Sequence, residues 1–276
     1  MSPFDLTGGP FLQLYGGLLI VTILAGFLIP RWIRPEGRTP RRIDTDDLAY
    51  LAGGSTRFAE AVATRLLSTN QLAMDGKNKF TPSHLGNGTP VERSVLALPD
   101  GASWGMVEGA VGQHAGKIRE RLIAGDLLMG SGEALQMRFF QTLPYFLLIG
   151  FGYTKLLIGE ARGKSVGFLA MFLIVTAIFA FIRFAALDRR TRAGHEALAE
   201  ARERSERIRR APAGGETDLA VALFGTTVLV GSDWGAFHQM RTASSGGDSG
   251  TSSSGGGDGG GGGSGCGGGG CGGCGG

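Results

Sequence analysis

The sequence predicts a mainly α-helical membrane protein, with three transmembrane helices, a small cytoplasmic winged-helix-like α+β domain and a disordered glycine-rich tail. Three observations predict this. Three apolar runs, Phe11–Ile29, Phe139–Ile158 and Val166–Leu187, each approach the roughly 20 residues a helix needs to cross a hydrocarbon core. About a hundred residues with ordinary amphipathic patterning separate the first two runs, enough for a small domain. Finally, 20 of the 50 glycines lie between Ala243 and Gly276, where there is almost nothing apolar to bury.

The first run, residues 11–29, contains no charge and is expected to end at Pro30, with Arg31, Trp32 and Arg34 following. A secretory leader would carry a basic segment before the run. Met1–Gly9 has Asp5 and no Lys or Arg, so an uncleaved anchor is expected, with residues 1–10 outside. The second run, residues 139–158, holds Gln141, Pro144 and Lys155. Lys155 lies near one end, where its ammonium reaches the headgroups; a functional intramembrane lysine is the alternative. The third run, residues 166–187, carries Arg183 near its end. Only Gly159–Ser165 separates runs two and three, so they form a helical hairpin.

Basic residues set the orientation. Arg31, Arg34, Arg38, Arg41 and Arg42 follow the first run, and Arg189, Arg190 and Arg192 follow the third, against Arg162 and Lys164 in the hairpin turn. Three crossings put both basic flanks on the cytoplasmic face and the N-terminus outside.

The domain is expected over residues 30–138, beginning with a basic linker. Asp44–Ala52 reads as a short helix broken at Gly53-Gly54, and Ser55 starts a second helix carrying Phe58, Val62, Leu66 and Leu67. Asp75-Gly76 marks a hairpin. Helix, helix, hairpin is the order of a winged-helix unit. A second, looser unit is expected from Val91–Leu98 and Ser103–Ala124, with Gly105, Gly109, Gly112 and Gly116 loosening or breaking the longer helix, and Asp126–Met129 as a closing strand. Binding to DNA is not favoured. Arg57 and Arg65 are balanced by Glu60, and Lys77 and Lys79 fall short of a phosphate-neutralising stripe. The net charge of +3 adds little.

Residues 188–212 read as a charged, solvated cytoplasmic helix with Glu200–Arg204, Glu203–Arg207 and Glu206–Arg210 spaced four apart. The apolar segment 218–231 is short for a span; it is expected to lie at the interface or pack on the domain, with a fourth span as the alternative. The tail, residues 243–276, holds all three cysteines, Cys266, Cys271 and Cys274. Thiolates in glycine suit a soft ion such as Zn or Cu(I), so these are the candidate metal ligands. Lipid attachment, cross-linking, another modification or free thiols are the alternatives. The scattered His84, His114, His195 and His238 show no metal spacing, and Asp44, Asp46 and Asp47 read as helix-starting charges. No nucleophile, Walker or dinucleotide pattern is present, so neither an enzyme nor a resident cofactor is expected.

Asp47–Gly54 (DLAYLAGG), Ala161–Leu169 (ARGKSVGFL), Ala222–Gly225 (ALFG) and the Gly/Cys tail resemble a family of uncharacterised bacterial membrane proteins. Their shared features are an N-terminal anchor, a small cytoplasmic domain, a helical hairpin and this kind of tail. The resemblance covers nearly the full length and implies architecture and a bacterial inner membrane, not chemistry. The expected role is a membrane-anchored interaction or scaffold protein with a protein partner. The alternatives are a thiol-based metal-binding or redox membrane protein, a membrane-tethered DNA-binding regulator, and a transporter-like or enzymatic role using Lys155.

Overall fold

The computed structural model describes residues 8–38, 43–83, 88–161, 166–210 and 215–245. It is mainly helical. In chain order the elements are α1 (Gly8–Ile33), α2 (Thr45–Ser68), β1 (Leu72–Met74), β2 (Phe80–Pro82), α3 (Pro90–Leu96) and α4 (Trp104–Ala124). Then follow α5 (Ser131–Ala161), α6 (Gly167–Ala185), α7 (Arg192–Arg204), α8 (Glu206–Arg210), α9 (Thr217–Phe224), a 3₁₀ turn (Thr226–Leu229) and α10 (Gly235–Ser245).

Helices α1, α5 and α6 are long and apolar enough to cross a membrane. They pack on one another around Phe11, Tyr15, Leu19, Leu148 and Leu169. Most of their large side chains point outward instead: Phe168 is 74% exposed, Phe181 73% and Leu147 67%. The three helices thus carry a wide exposed apolar surface.

Two glycine–tyrosine sockets set how closely the helices approach. Tyr15 is fully buried against Gly152, and a Cβ at Gly152 would stand 2.7 Å from the tyrosine ring and 2.9 Å from Leu173. Tyr145 occupies the matching place at Gly26. Thr176 Oγ1 donates to Phe172 O at 2.8 Å, which leaves its lone pair for the Tyr15 hydroxyl at 3.1 Å.

Pro30 does not end the first helix, which continues to Ile33. Proline lacks the N–H that would bond the carbonyl four residues back, that of Gly26. The Arg183 guanidinium of α6 donates to Gly26 O instead, so the helix passes through the proline with that carbonyl satisfied. Helix α5 begins at Ser131, eight residues before the expected start at residue 139, so its first turns emerge from the bundle toward the domain.

The domain is built around α2, which packs against α4 and α9. Phe58 and Val62 are fully buried and Leu66 nearly so. They share one core with Val107, Val111, Ile118 and Leu122 of α4, Val221 and Leu223 of α9, and Phe237 of α10. The helix is kinked where Gly53 (φ −160°) and Gly54 (φ +67°) leave helical geometry. Helix α3 starts with a capping box between Thr89 and Glu92 and has Pro90 in its first turn.

β1 and β2 pair antiparallel with Ala73 opposite Thr81. The turn between them differs from a two-residue Asp-Gly turn. Asp75 accepts from the N–H groups of Lys77 and Lys79, and Asn78, at φ +59°, takes the left-handed position rather than Gly76.

Helix α4 is unbroken despite its four glycines. A Cβ at Gly109, Gly112 or Gly116 would meet nothing within 4 Å, and all three are exposed. They therefore weaken the helix without serving a close approach. Gly109→Ala, Gly112→Ala and Gly116→Ala are each expected to stabilise the domain by roughly 0.5–1 kcal/mol. Thermal unfolding of the single and triple variants checks this; unchanged or lowered midpoints would contradict it.

The segment after α6 is not one solvated helix. The chain from Ala186 to Thr191 is not helical, and α7 then lays Ala193, Gly194, Ala197 and Leu198 into the domain core. Of the three expected four-apart pairs, Glu200–Arg204 forms; Arg207 pairs with Glu216 and Arg209 with Glu206. The apolar segment near residue 220 is the eight-residue α9, buried among the side chains of α2. The candidate closing strand, residues 126–129, pairs at Leu128 with Arg190 in the stretch that leaves α6.

Candidate functional site

Three arrangements stand out, and each is assembled from segments distant in sequence. At the heart of the domain, Arg65 of α2 meets Asp46 at the start of its own helix, Glu92 of α3 at 3.1 Å and Asp218 of α9 at 2.9 Å. Burial alone would favour the neutral guanidine, but Asp46 and Asp218 hold Arg65 more firmly protonated than a free guanidinium. Asp47 bonds Arg121 of α4 at 2.7 Å, although burial still pushes its carboxyl up. Glu60 lies between Arg57 at 3.1 Å and Arg241 of α10 at 2.9 Å. Arg241 in turn stands 4.5 Å over the Trp104 ring. Asp44, Asp46 and Asp47 do stand at the start of α2, and Asp46 and Asp47 serve there as cross-braces as well.

The resemblance motifs have structural explanations here. In DLAYLAGG, Asp47 pairs with Arg121, Leu48, Tyr50 and Leu51 are buried, and the glycines make the kink. In ALFG, Gly225 ends α9 at φ +89°, and the Arg57 guanidinium occupies the space a Cβ would need. In ARGKSVGFL, Leu169 is buried in the bundle, while Arg162–Ser165 lie outside the described residues.

The second arrangement joins the bundle to the domain. The main chain of 186–193 bonds on two sides: Arg192 N and Ala193 N donate to Pro35 O and Glu36 O at 2.9 and 2.7 Å, and Met129 N donates to Arg189 O at 2.8 Å. Asp188 faces Arg34 at 3.4 Å and His195 at 2.7 Å and accepts from Arg190 N at 3.1 Å. Arg190 reaches Ala52 O at the α2 kink. A cavity of about 460 Å³ opens beside it, bordered by Pro35, Gly37, Asp126, Glu133 and Thr191.

Burial would raise the Asp188 carboxyl, but His195, the Arg190 N–H and the Arg190 charge outweigh it and hold it well below the usual carboxylate range. A depressed folded pKa contributes stability that is fully present above the unfolded value, near 3.9, and is lost as pH falls through the folded value. Amide exchange at Arg190 is expected to accelerate as pH drops below about 4 beyond the intrinsic pH trend. Asp188→Asn should remove that pH response and cost roughly 1–3 kcal/mol at neutral pH. Identical pH profiles for the two proteins would contradict this.

The third arrangement is a surface groove of about 230 Å³ between the hairpin and α10, lined by Leu67, Leu72, Met74, Trp234 and Phe237 with Asp233 at its rim. Among the described residues, β1 pairs only with β2, so its other edge borders this groove unpaired.

The residues singled out in the sequence are dispersed. Cys266, Cys271 and Cys274 lie outside the described residues, as does His84. His114 meets Ser94 at 2.8 Å, His238 meets Thr226 at 3.0 Å, and His195 belongs to the junction. Lys155 stands 5.0 Å from the centre of the Phe11 ring. Among the described residues, no three His, Cys, Asp or Glu side chains group to hold a metal ion. The sequence does not reveal the Asp188 cluster or the groove, because their parts come from segments up to about 170 positions apart and share no local pattern. No family model, curated protein or solved structure matches the chain.

Proposed function

We propose that the chain is a membrane-anchored interaction protein whose domain presents the groove beside β1 to a protein partner. The observation that carries this reading is the pairing of an open strand edge with a groove that offers Met74 and Trp234 beside the polar Asn70 and Asp233. An extended peptide gains main-chain hydrogen bonds from such an edge and side-chain burial from the groove. The junction holds that face at a set attitude to the bundle.

The domain is read as winged-helix-like, supported by two helical segments meeting at Gly53-Gly54 and then a hairpin. Its second helical segment is an unsuitable DNA reader: it lies between α4 and α9, with Arg65 engaged by three carboxylates. The bundle is read as inserted in a bacterial inner membrane, N-terminus outside and domain inside, and the chain as a member of the resembling family. The exposed apolar belt supports insertion. The orientation is supported by the basic flanks, and by α2 and α9 sharing one core with two candidate spans between them in sequence.

Photo-crosslinking in intact cells tests the groove. A crosslinker at Met74 or Trp234 is expected to give a discrete heavier adduct, and one at exposed Lys117 on α4 is not. Adducts equal at all three positions, or absent at all, would overturn the reading. In a background lacking the tail cysteines, an impermeant thiol reagent should label Ser2→Cys from outside and spare Lys117→Cys; the reverse pattern would overturn the orientation.

A further inference from the structure

The domain-facing end of the bundle carries two arginines that no carboxylate among the described residues answers. Arg138 is on α5 and Arg183 on α6, and Gln141 Nε2 donates to Arg183 O at 2.7 Å, which brings those helix ends side by side. The Arg183 guanidinium stands 4.3 Å over Phe27 and spends one donor on Gly26 O. The Arg138 guanidinium stands 5.5 Å from the Phe184 ring centre. Among the described residues neither is in an ion pair, and the Nε of each is buried without a hydrogen-bond partner. Trp32, 85% exposed, lies at the same end of α1, the position of an interfacial aromatic.

A guanidinium keeps its proton, so these two charges cannot be relieved by neutralisation. Each still offers several N–H donors in a planar fork that matches phosphate oxygens. At the edge of a hydrocarbon layer, the abundant anion at that depth is a lipid phosphodiester. A zwitterionic headgroup brings its own cation, whereas an anionic one leaves its charge for the protein. We propose that Arg138 and Arg183 form a binding site for the phosphodiester headgroup of an anionic phospholipid. This rests on the reading of the bundle as membrane-spanning.

The test uses the full chain in nanodiscs of phosphatidylcholine with a minority of phosphatidylglycerol. After extraction, native mass spectrometry reads the lipids retained on the protein. At roughly 1 kcal/mol per arginine, Arg138→Gln is expected to lower the retained phosphatidylglycerol ratio about 5-fold, and the double variant with Arg183→Gln about 30-fold. Arg138→Lys should fall between wild type and Arg138→Gln. Arg204→Gln, exposed on α7 and paired with Glu200, should match wild type. If Arg183→Gln fails to fold for want of its bond to Gly26, Arg138→Gln carries the test alone. Equal retention by wild type and Arg138→Gln in protein that has entered the bilayer overturns the site. Displacement of the lipid by inorganic phosphate also overturns it, by assigning the site to a free anion. A chain that stays in the soluble fraction overturns the membrane reading and this site together.

Discussion

Arg65→Met is expected to cost the domain about 3–5 kcal/mol, a large share of the roughly 5–15 kcal/mol that separates folded from unfolded domains. The loss exceeds that of one ion pair because three carboxylates, from Asp46, Glu92 and Asp218, are left facing one another with their cation gone. Arg65 is about one-fifth exposed, so solvent screening is partial. Removing a single acid leaves the other two paired with the guanidinium. Asp218→Asn should therefore cost roughly 1 kcal/mol. Chemical unfolding followed by the fluorescence of Trp104 and Trp234 measures both. A loss under about 1 kcal/mol for Arg65→Met would show that the hub is dispensable to the fold.

Gly152→Val should be the most damaging single change in the bundle. The new Cβ alone would stand 2.7 Å from Tyr15 and 2.9 Å from Leu173, and Tyr15 is fully buried with its hydroxyl fixed on Thr176. The helices must separate or Tyr15 must leave its socket. Overpacking of this kind costs typically 1–3 kcal/mol, and the lost tyrosine bond adds about 1 more. Gly150→Val, two residues away and facing open space, provides the control and should be nearly neutral. Unfolding in mild detergent, monitored by protease access to the α5–α6 hairpin, separates the two. Equal behaviour of the variants would mean that close approach at Tyr15 does not hold the bundle.

Features written in local composition were legible in the sequence. The three apolar helices follow from length and the scarcity of charge, and the kink at Gly53-Gly54 follows from the paired glycines. The features that escaped depend on distant partners. Pro30 reads as a stop because its lost hydrogen bond is local, whereas the group that answers the freed carbonyl is Arg183. Residues 192–204 read as solvated because charged residues dominate their composition, and the buried stripe of Ala193, Gly194, Ala197 and Leu198 holds a single large apolar side chain. The Gly194 side must be small because the Leu127 carbonyl occupies the place of its Cβ. Asp75-Gly76 marks a turn correctly, yet which residue adopts the left-handed conformation is decided by the Asp75 side chain binding two N–H groups ahead of it. The groove and the Asp188 cluster leave no local trace, because each exists only after the termini of several elements have met.

The burial of α9 against α2 bears on the order in which the molecule is made. Helix α2 is complete by residue 68, yet one of the two helices that cover it begins at Thr217. A chain emerging at about 5–20 residues per second thus carries part of the α2 surface uncovered for some seconds. During that interval α3 and α4 can close one side, and both remaining apolar helices are completed before α9 appears. The domain therefore has to await the second half of the bundle, and its core is closed by nearly the last described turns of the chain. Chains halted just after α6 should expose the α9-facing side of α2, the side that carries Arg57 and Arg65, and be degraded faster than those halted after Ser245.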